Sequence, residues 1–165
     1  MREFLGDDSA PLRRDVRRML DDLYHLIEEH GPFHGVIGYS EGATVASTLI
    51  VDDLKRRQAK GLLGSSFTCA IFFAGWPPLA TEGENTLLLS DEVDEIITIP
   101  TFHVIGASDP YLPGCMALYN VCDSDTAEMF DHGKGHMIPR DVITVKELSN
   151  ALRSFMERIG SLRQA

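Results

Sequence analysis

A serine lies between two glycines in the segment Gly38-Tyr39-Ser40-Glu41-Gly42. The segment fits the pattern G-x-S-x-G, in which the glycines permit a sharp turn that lifts the serine hydroxyl away from the backbone. A neutral serine hydroxyl is a weak nucleophile, so attack on an acyl carbonyl also requires a histidine to accept its proton and a carboxylate to orient that histidine. The alternative is an ordinary helix start with Ser40 as its N-cap.

A candidate acid and a candidate base follow the serine along the chain. Asp109 comes just after the apolar run 101–106, and His136 lies in a loop rich in glycine. Side chains that follow parallel strands meet at the carboxyl edge of a sheet, where they can build a site. In some known serine enzymes the three residues follow one another along the chain in this same order, serine, acid and histidine. The spacing therefore predicts a nucleophile, an orienting acid and a base.

Other residues compete for the acid and base roles. His132 lies four residues before His136, but the glycines between them disfavour a helical metal-binding pair. Asp123 and Asp125 precede the last predicted strand instead of following one, so we prefer Asp109 as the acid. The remaining histidines are interpreted as structural, because they lie on helices, inside a strand or at the far end of one: His25, His30, His34 and His103.

Periodic apolar residues predict the elements that position these side chains. Some segments repeat apolar residues at three- and four-residue steps, which is typical of amphipathic helices. Short apolar runs bounded by turn residues are typical of strands buried in a parallel sheet. Their alternation predicts an α/β fold with a mostly parallel sheet and helices on both faces. Helices are predicted over residues 11–30, 41–58 and 142–159, and strands over residues 35–39, 67–73, 101–106 and, more weakly, 127–131.

Two features leave alternatives open. Residues 77–100 are acidic and weakly periodic, and we interpret them as a lid over the site and not as a core element. Aromatic and leucine side chains around residues 72–79, 87–89 and 111–119 fit either the wall of an apolar pocket or the core.

Composition limits the partners and the compartment. The chain has 165 residues, enough for one domain over 1–165, and its net charge of −10 opposes binding to nucleic acids and anionic membranes. It contains no apolar segment of signal-peptide or membrane-spanning length, which predicts a cytoplasmic protein. The three cysteines show no paired spacing, which argues against a disulfide framework or a zinc site, and no cofactor is expected.

Three motifs together resemble a known family. They are GPFHGVIGYSEGA (31–43), HVIGASDPYLP (103–113) and GKGHMIPRD (133–141). The chain resembles, from about Leu5 to its last helix, the small serine hydrolases of yeast and filamentous fungi. That family includes esterases and thioesterases encoded beside fungal polyketide synthases. The residue after the serine, Glu41, is similar to the residue at this place in the polyketide-pathway members, whereas other members often carry glutamine there.

The resemblance implies an α/β-hydrolase fold that is truncated at its N-terminal end. Family members begin with a strand ending in a His-Gly loop, followed by a further helix and strand, and these elements are missing before the helix near Pro11. The match implies that Ser40 is the nucleophile, Asp109 the acid and His136 the base. It also implies that the Glu41 backbone N–H holds the oxyanion together with an N–H from the missing loop, which leaves one oxyanion donor unaccounted for.

The resemblance and the motifs favour a hydrolase for acyl esters or thioesters, acting on a small hydrophobic or carrier-bound acyl chain. A second reading is a cyclase, lyase or isomerase that uses His136 and Asp109 as an acid/base pair. A third is a binding remnant without catalysis. The missing elements would turn the strand at 35–39 into a sheet edge and would bare apolar surface beside it. A homodimer through the strand and helix at 35–58, or a partner protein that covers them, is therefore expected.

Overall fold

Four parallel strands form one sheet in the computed structural model, which describes residues 9–81, 87–89 and 96–162. A helix lies between the first and second strands and another between the third and fourth, in the alternating order that the sequence pattern predicts. In chain order the described elements are α1 (Ser9–His30), β1 (Gly35–Tyr39), α2 (Glu41–Ala59), β2 (Cys69–Phe73), β3 (Thr101–Ile105), α3 (Leu112–Tyr119), β4 (Ala127–Asp131) and α4 (Val142–Leu162).

The strand order in the sheet is β1-β2-β3-β4. Gly35 pairs with Cys69 at the start of the first ladder, and Thr101 pairs with both Ala70 and Ala127. Because the strands are parallel and in order, the loops that follow them lie side by side along one edge. That edge carries Ser40 after β1 and the loops that follow β3 and β4.

The two faces of the sheet carry different helices. On one face Ala70 and Phe72 pack in a core cluster with residues of α1 and α2, among them the fully buried Leu20 and Ile50. On the other face Phe102 packs with residues of α4. Alternating strand residues point to opposite faces, so continuous apolar strands bury both. The predicted α/β architecture with helices on both sides is confirmed.

Helices α1 and α2 are joined by a buried carboxylate. Asp52 of α2 is 4% exposed and accepts hydrogen bonds from the Tyr24 hydroxyl at 3.2 Å and from Arg17 at 3.5 Å, both on α1. Burial, together with the charge of Asp52, raises the pKa of Tyr24, so its hydroxyl stays a donor. A buried charge needs such partners, and these partners fix how α1 lies on α2.

Two helices differ from the sequence prediction. Helix α3 was not predicted, because Pro113 and Gly114 lower the helix propensity of its eight residues. Proline is nevertheless compatible with the first turn of a helix, where it stands here. Helix α4 continues through Gly160 to Leu162, whereas the sequence predicted an end before that glycine.

The interpretation of residues 77–100 as a lid was wrong for the described part of that segment. Ile97 and Ile99 are buried in the main core, and Ile97 forms a parallel bridge with Cys122. Leu79 pairs with Leu87 in an antiparallel bridge. The alternating isoleucines follow the two-residue period of an extended, buried segment, which a helical period does not detect. Residues 82–86 and 90–95 lie outside the described residues.

Strand β1 lies at the edge of the sheet among the strands that the structure describes, as expected. Its Ile37 side chain is 70% exposed. The expectation of bare apolar surface on the helix at 41–58 was wrong. Residues 43–54 of α2 are buried or half-buried within the chain itself, because α1 covers them.

The three cysteines, Cys69, Cys115 and Cys122, are buried and are not joined in disulfides. No helix in the described ranges is both long enough and apolar enough to cross a membrane. Within those same ranges, no group of three or more histidine, cysteine, aspartate or glutamate side chains could hold a metal ion.

His103 is buried in β3, as its structural interpretation requires. The side chain is 2% exposed, and its Nε2 atom lies 3.0 Å from the Thr101 hydroxyl. The rings of Phe72 and Tyr119 lie 5.3 and 5.1 Å from the imidazole centroid. Burial lowers the pKa of His103 to about 3, so this imidazole is neutral in the folded protein.

This burial predicts acid-sensitive stability. Between pH 6.5 and about 3 an unfolded chain binds a proton at His103 that the folded chain excludes. The free energy of unfolding should therefore fall as the pH falls through this window, by up to about 1.4 kcal/mol per pH unit from this residue. The substitution His103→Gln should remove that slope in urea unfolding measured at several pH values. An unchanged slope in the variant would contradict the prediction.

Candidate active site

Ser40 has the backbone of a strained turn, not that of an ordinary N-cap. Its φ of 54° and ψ of −122° lie in a region that residues other than glycine rarely adopt. Its N–H donates to the Phe73 carbonyl oxygen at 2.8 Å, which ties the turn to β2. Its side chain makes no capping hydrogen bond to α2. The hydroxyl is therefore directed away from the helix, as in a nucleophile elbow.

Gly38 permits the close approach of β1 to α2 at this turn. A Cβ atom at residue 38 would lie 2.4 Å from the Gly42 carbonyl oxygen and 2.5 Å from the Ala43 Cα. Both neighbours are backbone atoms that a rotamer change cannot move. By contrast, a Cβ atom at Gly42 would meet nothing within 4 Å. Only the first glycine of the G-x-S-x-G segment is required by space.

The two glycines therefore predict opposite results for the same substitution. Gly38→Ala should lower the free energy of unfolding by about 3 kcal/mol or more, because helix and strand must move apart. Gly42→Ala should change it by less than about 1 kcal/mol, since the added methyl group meets open space. Urea unfolding of both variants measures the difference. Equal losses of stability would show that this close approach does not matter.

A histidine lies between the serine and a buried carboxylate. The Nε2 atom of His136 is 2.8 Å from the Ser40 hydroxyl oxygen, and its Nδ1 atom is 2.8 Å from Oδ2 of Asp109. A carboxylate only accepts hydrogen bonds, so Nδ1 of the neutral ring carries the proton. Nε2 is then the acceptor for the serine hydroxyl. This arrangement lets His136 take the proton of Ser40.

Asp109 is held by the loop after β3. The residue is 5% exposed, and its second oxygen, Oδ1, accepts the backbone N–H of Tyr111 at 2.8 Å. Its own N–H donates to the Gly106 carbonyl oxygen at 2.9 Å. Both carboxylate oxygens therefore have a donor, which a buried carboxylate requires.

Asp131, at the end of β4, joins the loop that carries Asp109 to the loop that carries His136. Its Oδ1 atom accepts the N–H of Ala107 at 2.9 Å and the N–H of Gly133 at 2.7 Å. The Ser108 N–H also donates to the Lys134 carbonyl oxygen at 3.1 Å. These bonds hold Asp109 and His136 in one relative position. Sequence analysis did not single out Asp131, although an aspartate two residues before a glycine is a turn pattern that could have found it.

The competing residues lie in other environments. The Nδ1 atom of His132 accepts the Lys134 N–H at 3.3 Å. Asp123 accepts the N–H of Asp125 and the hydroxyl of Thr126, both at 3.0 Å, in the turn before β4. The structure therefore brings Asp109 and His136 to Ser40, and it uses Asp123 in a local turn.

Glu41 begins α2 directly after the serine. The first N–H groups of a helix have no partner within the helix, and the helix dipole makes this end favourable for negative charge. The Glu41 N–H is thus suitably placed for an oxyanion that forms on the Ser40 side.

Aromatic rings surround the imidazole. The Tyr39 and Tyr111 rings lie 5.5 and 5.2 Å from the His136 ring, centroid to centroid. The Trp76 ring lies 6.2 Å from that of Tyr111. Sequence analysis left Trp76 and Tyr111 open between pocket and core and did not weigh Tyr39. The position of Tyr39, next to the elbow serine, could have identified it.

The chain is similar to known serine hydrolases over most of its length. The family model described as serine hydrolase (FSH1) matches residues 4–148. An esterase of Fusarium mangiferae, FPY3, is 31% identical, and the alignment covers 94% of this chain and 74% of that protein. The yeast protein named family of serine hydrolases 2 is 28% identical, over 81% of this chain and 59% of its own length.

Solved structures share the fold. A putative hydrolase from Agrobacterium vitis superimposes with a TM-score of 0.55 at 13% identity, covering 85% of this chain and 68% of that one. An esterase of Pyrococcus furiosus gives the same TM-score at 14% identity, over 88% of this chain and 61% of its own. The sheet thus has the architecture of α/β-hydrolases. With the match over most of its length, the chain belongs to the FSH1 family of serine hydrolases.

Proposed function

We propose that this serine hydrolase cleaves acyl esters or thioesters by covalent catalysis at Ser40, with His136 as the base and Asp109 as the orienting acid. The observation that carries the proposal is the pair of 2.8 Å contacts from the two nitrogens of His136 to Ser40 and Asp109. Contacts of this length are within the reach that proton transfer requires. All three residues lie after strands of the same sheet, so we treat the chain as a single catalytic domain.

The geometry supports an ordered sequence of steps. Nε2 of His136 accepts the proton as the Ser40 oxygen attacks the acyl carbonyl carbon. The Glu41 N–H stabilises the oxyanion of the tetrahedral intermediate. His136 then returns the proton to the leaving alcohol or thiol, and the acyl group stays on Ser40. Water, activated by the same imidazole, hydrolyses this ester and restores the serine.

We propose that the substrate is a hydrophobic acyl ester or thioester of fungal polyketide metabolism. Its acyl group is carried either on a small molecule or on a carrier protein. The resemblance at the elbow, including Glu41, supports this setting. Two relatives from fungi are named esterase FPY3 and hydrolase phiM, and these names support the hydrolytic activity. The half-exposed Tyr111 ring beside His136 offers apolar surface to such a group.

The proposal is tested by release of thiol from N-acetylcysteamine thioesters of medium-length acids and of p-nitrophenol from the p-nitrophenyl esters of the same acids. We expect hydrolysis that rises with protein concentration. No release at any chain length would contradict the proposal. In the acid/base alternative, His136 and Asp109 act without Ser40. That alternative predicts a reaction that the Ser40→Ala protein still catalyses.

We further propose that two copies pair through β1. The strand is paired on one side only in the described sheet, and its Ile37 side chain is 70% exposed. A short edge strand can pair with its own copy about a twofold axis, which satisfies its free N–H and C=O groups. Because α2 is covered by α1, the interface is restricted to the strand and does not include the helix.

Light scattering should give twice the 18.3 kDa mass of one chain at micromolar concentration. Ile37→Lys, which places a charge on the exposed edge, should give a single-chain mass with an unchanged circular dichroism spectrum. A wild-type protein that is monomeric under these conditions would exclude this pairing.

A further inference from the structure

Three aromatic side chains lie at the carboxyl ends of successive strands of the sheet or in the loops that follow them. Tyr39 ends β1, Trp76 follows β2 and Tyr111 precedes α3, after β3. Two of the rings contact the imidazole of His136, and the third contacts Tyr111. We call these three residues the aromatic wall. Its members border the atoms that react, so they are suitably placed to contact an acyl group bound to Ser40.

Trp76 is held from two sides. Its backbone N–H donates to the Thr44 hydroxyl oxygen at 3.2 Å, and that hydroxyl donates to its backbone carbonyl oxygen at 3.4 Å. Its indole packs against the backbone of Gly114, where a Cβ atom would lie 2.5 to 2.7 Å from three ring atoms. Thr44 is on the helix that begins next to Ser40. The indole is therefore fixed relative to the nucleophile.

Tyr39 and Tyr111 are fixed but remain accessible. Tyr111 is 50% exposed although its N–H is bound to Asp109, and its ring meets His136 at an interplanar angle of 79°. Tyr39 is 39% exposed, and its hydroxyl donates to the His136 carbonyl oxygen at 3.4 Å. Large apolar rings held in place with their surfaces exposed are not explained by core packing. They provide a preformed contact surface.

We propose that the aromatic wall binds the acyl part of the substrate and favours acyl groups that carry an aromatic ring. This inference rests on the proposed acyl hydrolysis at Ser40. Aromatic rings attract one another through edge-to-face and offset contacts beyond the burial of area, and each such contact corresponds to about two- to tenfold in affinity. A saturated ring of similar size buries similar area but lacks this attraction. Trp76 and Tyr111 are the specificity-determining residues.

The matched ligands are the N-acetylcysteamine thioesters of 3-phenylpropanoate and 3-cyclohexylpropanoate, which have the same carbon skeleton. Binding is measured with the Ser40→Ala protein, so that the result does not depend on hydrolysis. Trp76 is the only tryptophan in the chain, and its fluorescence reports directly on the wall. We expect the phenyl ligand to bind about three- to tenfold more tightly than the cyclohexyl ligand.

Second-site variants in the Ser40→Ala background assign the preference to the wall. Tyr111→Leu should bring the ratio of the two affinities close to one, and Tyr111→Phe should keep it. Phe33→Leu is the matched control, because Phe33 is 46% exposed and precedes β1. It therefore lies at the amino-terminal ends of the strands, opposite the site. This substitution should leave the ratio unchanged.

Equal affinity for the two ligands, or no change in fluorescence with either, would overturn the proposal. A ratio that persists in Tyr111→Leu, or that is lost equally in Phe33→Leu, would overturn it as well. Failure of the hydrolysis proposal has a different signature, which is the absence of thiol release by the protein with Ser40 intact.

Discussion

Alanine at Ser40 should lower kcat for thioester hydrolysis by about 10⁴- to 10⁶-fold, and alanine at His136 should lower it nearly as much. The reason is that the two residues act as a unit: the serine oxygen attacks only as its proton moves to Nε2, 2.8 Å away. The double variant should lose little more than either single variant. Initial rates of thiol release at saturating substrate measure these losses.

A serine far from the site provides the control. Ser154→Ala, on the exposed side of α4, should keep the wild-type kcat. Undiminished hydrolysis in Ser40→Ala would contradict the covalent mechanism. A reaction that survives in Ser40→Ala and is lost in His136→Ala would instead identify acid/base chemistry by the histidine and its carboxylate.

Asp109→Asn should lower kcat by about 10³- to 10⁴-fold without unfolding the protein. The asparagine keeps the size of the side chain and can still accept the Tyr111 N–H. It loses the negative charge that stabilises the imidazolium of His136, and its amide N–H₂ can favour the wrong tautomer of the ring. Initial rates together with circular dichroism separate the loss of activity from a loss of fold.

The matched control for this substitution is Asp125→Asn. Asp125 is exposed in the turn before β4, at the other end of that strand from the loop of His136. Its substitution should leave kcat unchanged. The proposed role of Asp109 is refuted by a kcat within about tenfold of wild type in Asp109→Asn, or by an equal loss in Asp125→Asn.

The elbow could be predicted from the sequence because it depends on local backbone requirements. Gly38 is needed by a close approach of strand and helix, and that requirement leaves a short pattern in the chain. Asp109 and His136 could be placed near Ser40 because parallel strands bring the loops that follow them to one edge. Strand β4 forms over the predicted residues 127–131.

The remaining features depend on contacts between distant residues. Helix α3 forms despite Pro113 and Gly114, since burial of Cys115 and Leu118 outweighs the low helix propensity. The alternation of Ile97 and Ile99 is visible locally, but the bridge from Ile97 to Cys122 joins distant parts of the chain and is not.

The contact between Trp76 and Tyr111 in the aromatic wall could not be predicted from the sequence either. Trp76 and Tyr111 are 35 residues apart in the chain and meet only when β2 and β3 are paired. An isolated aromatic residue in a sequence looks the same in a pocket and in a core.

The proposed catalysis depends above all on Ser40 being a nucleophile activated by His136. A fluorophosphonate probe tests this directly, because it reacts with an activated serine and adds a fixed mass to the intact protein. We predict a single adduct on the wild-type chain, located at Ser40, no adduct on Ser40→Ala, and much slower labelling of His136→Ala. An unlabelled wild-type protein, or equal labelling of Ser40→Ala, would contradict the account.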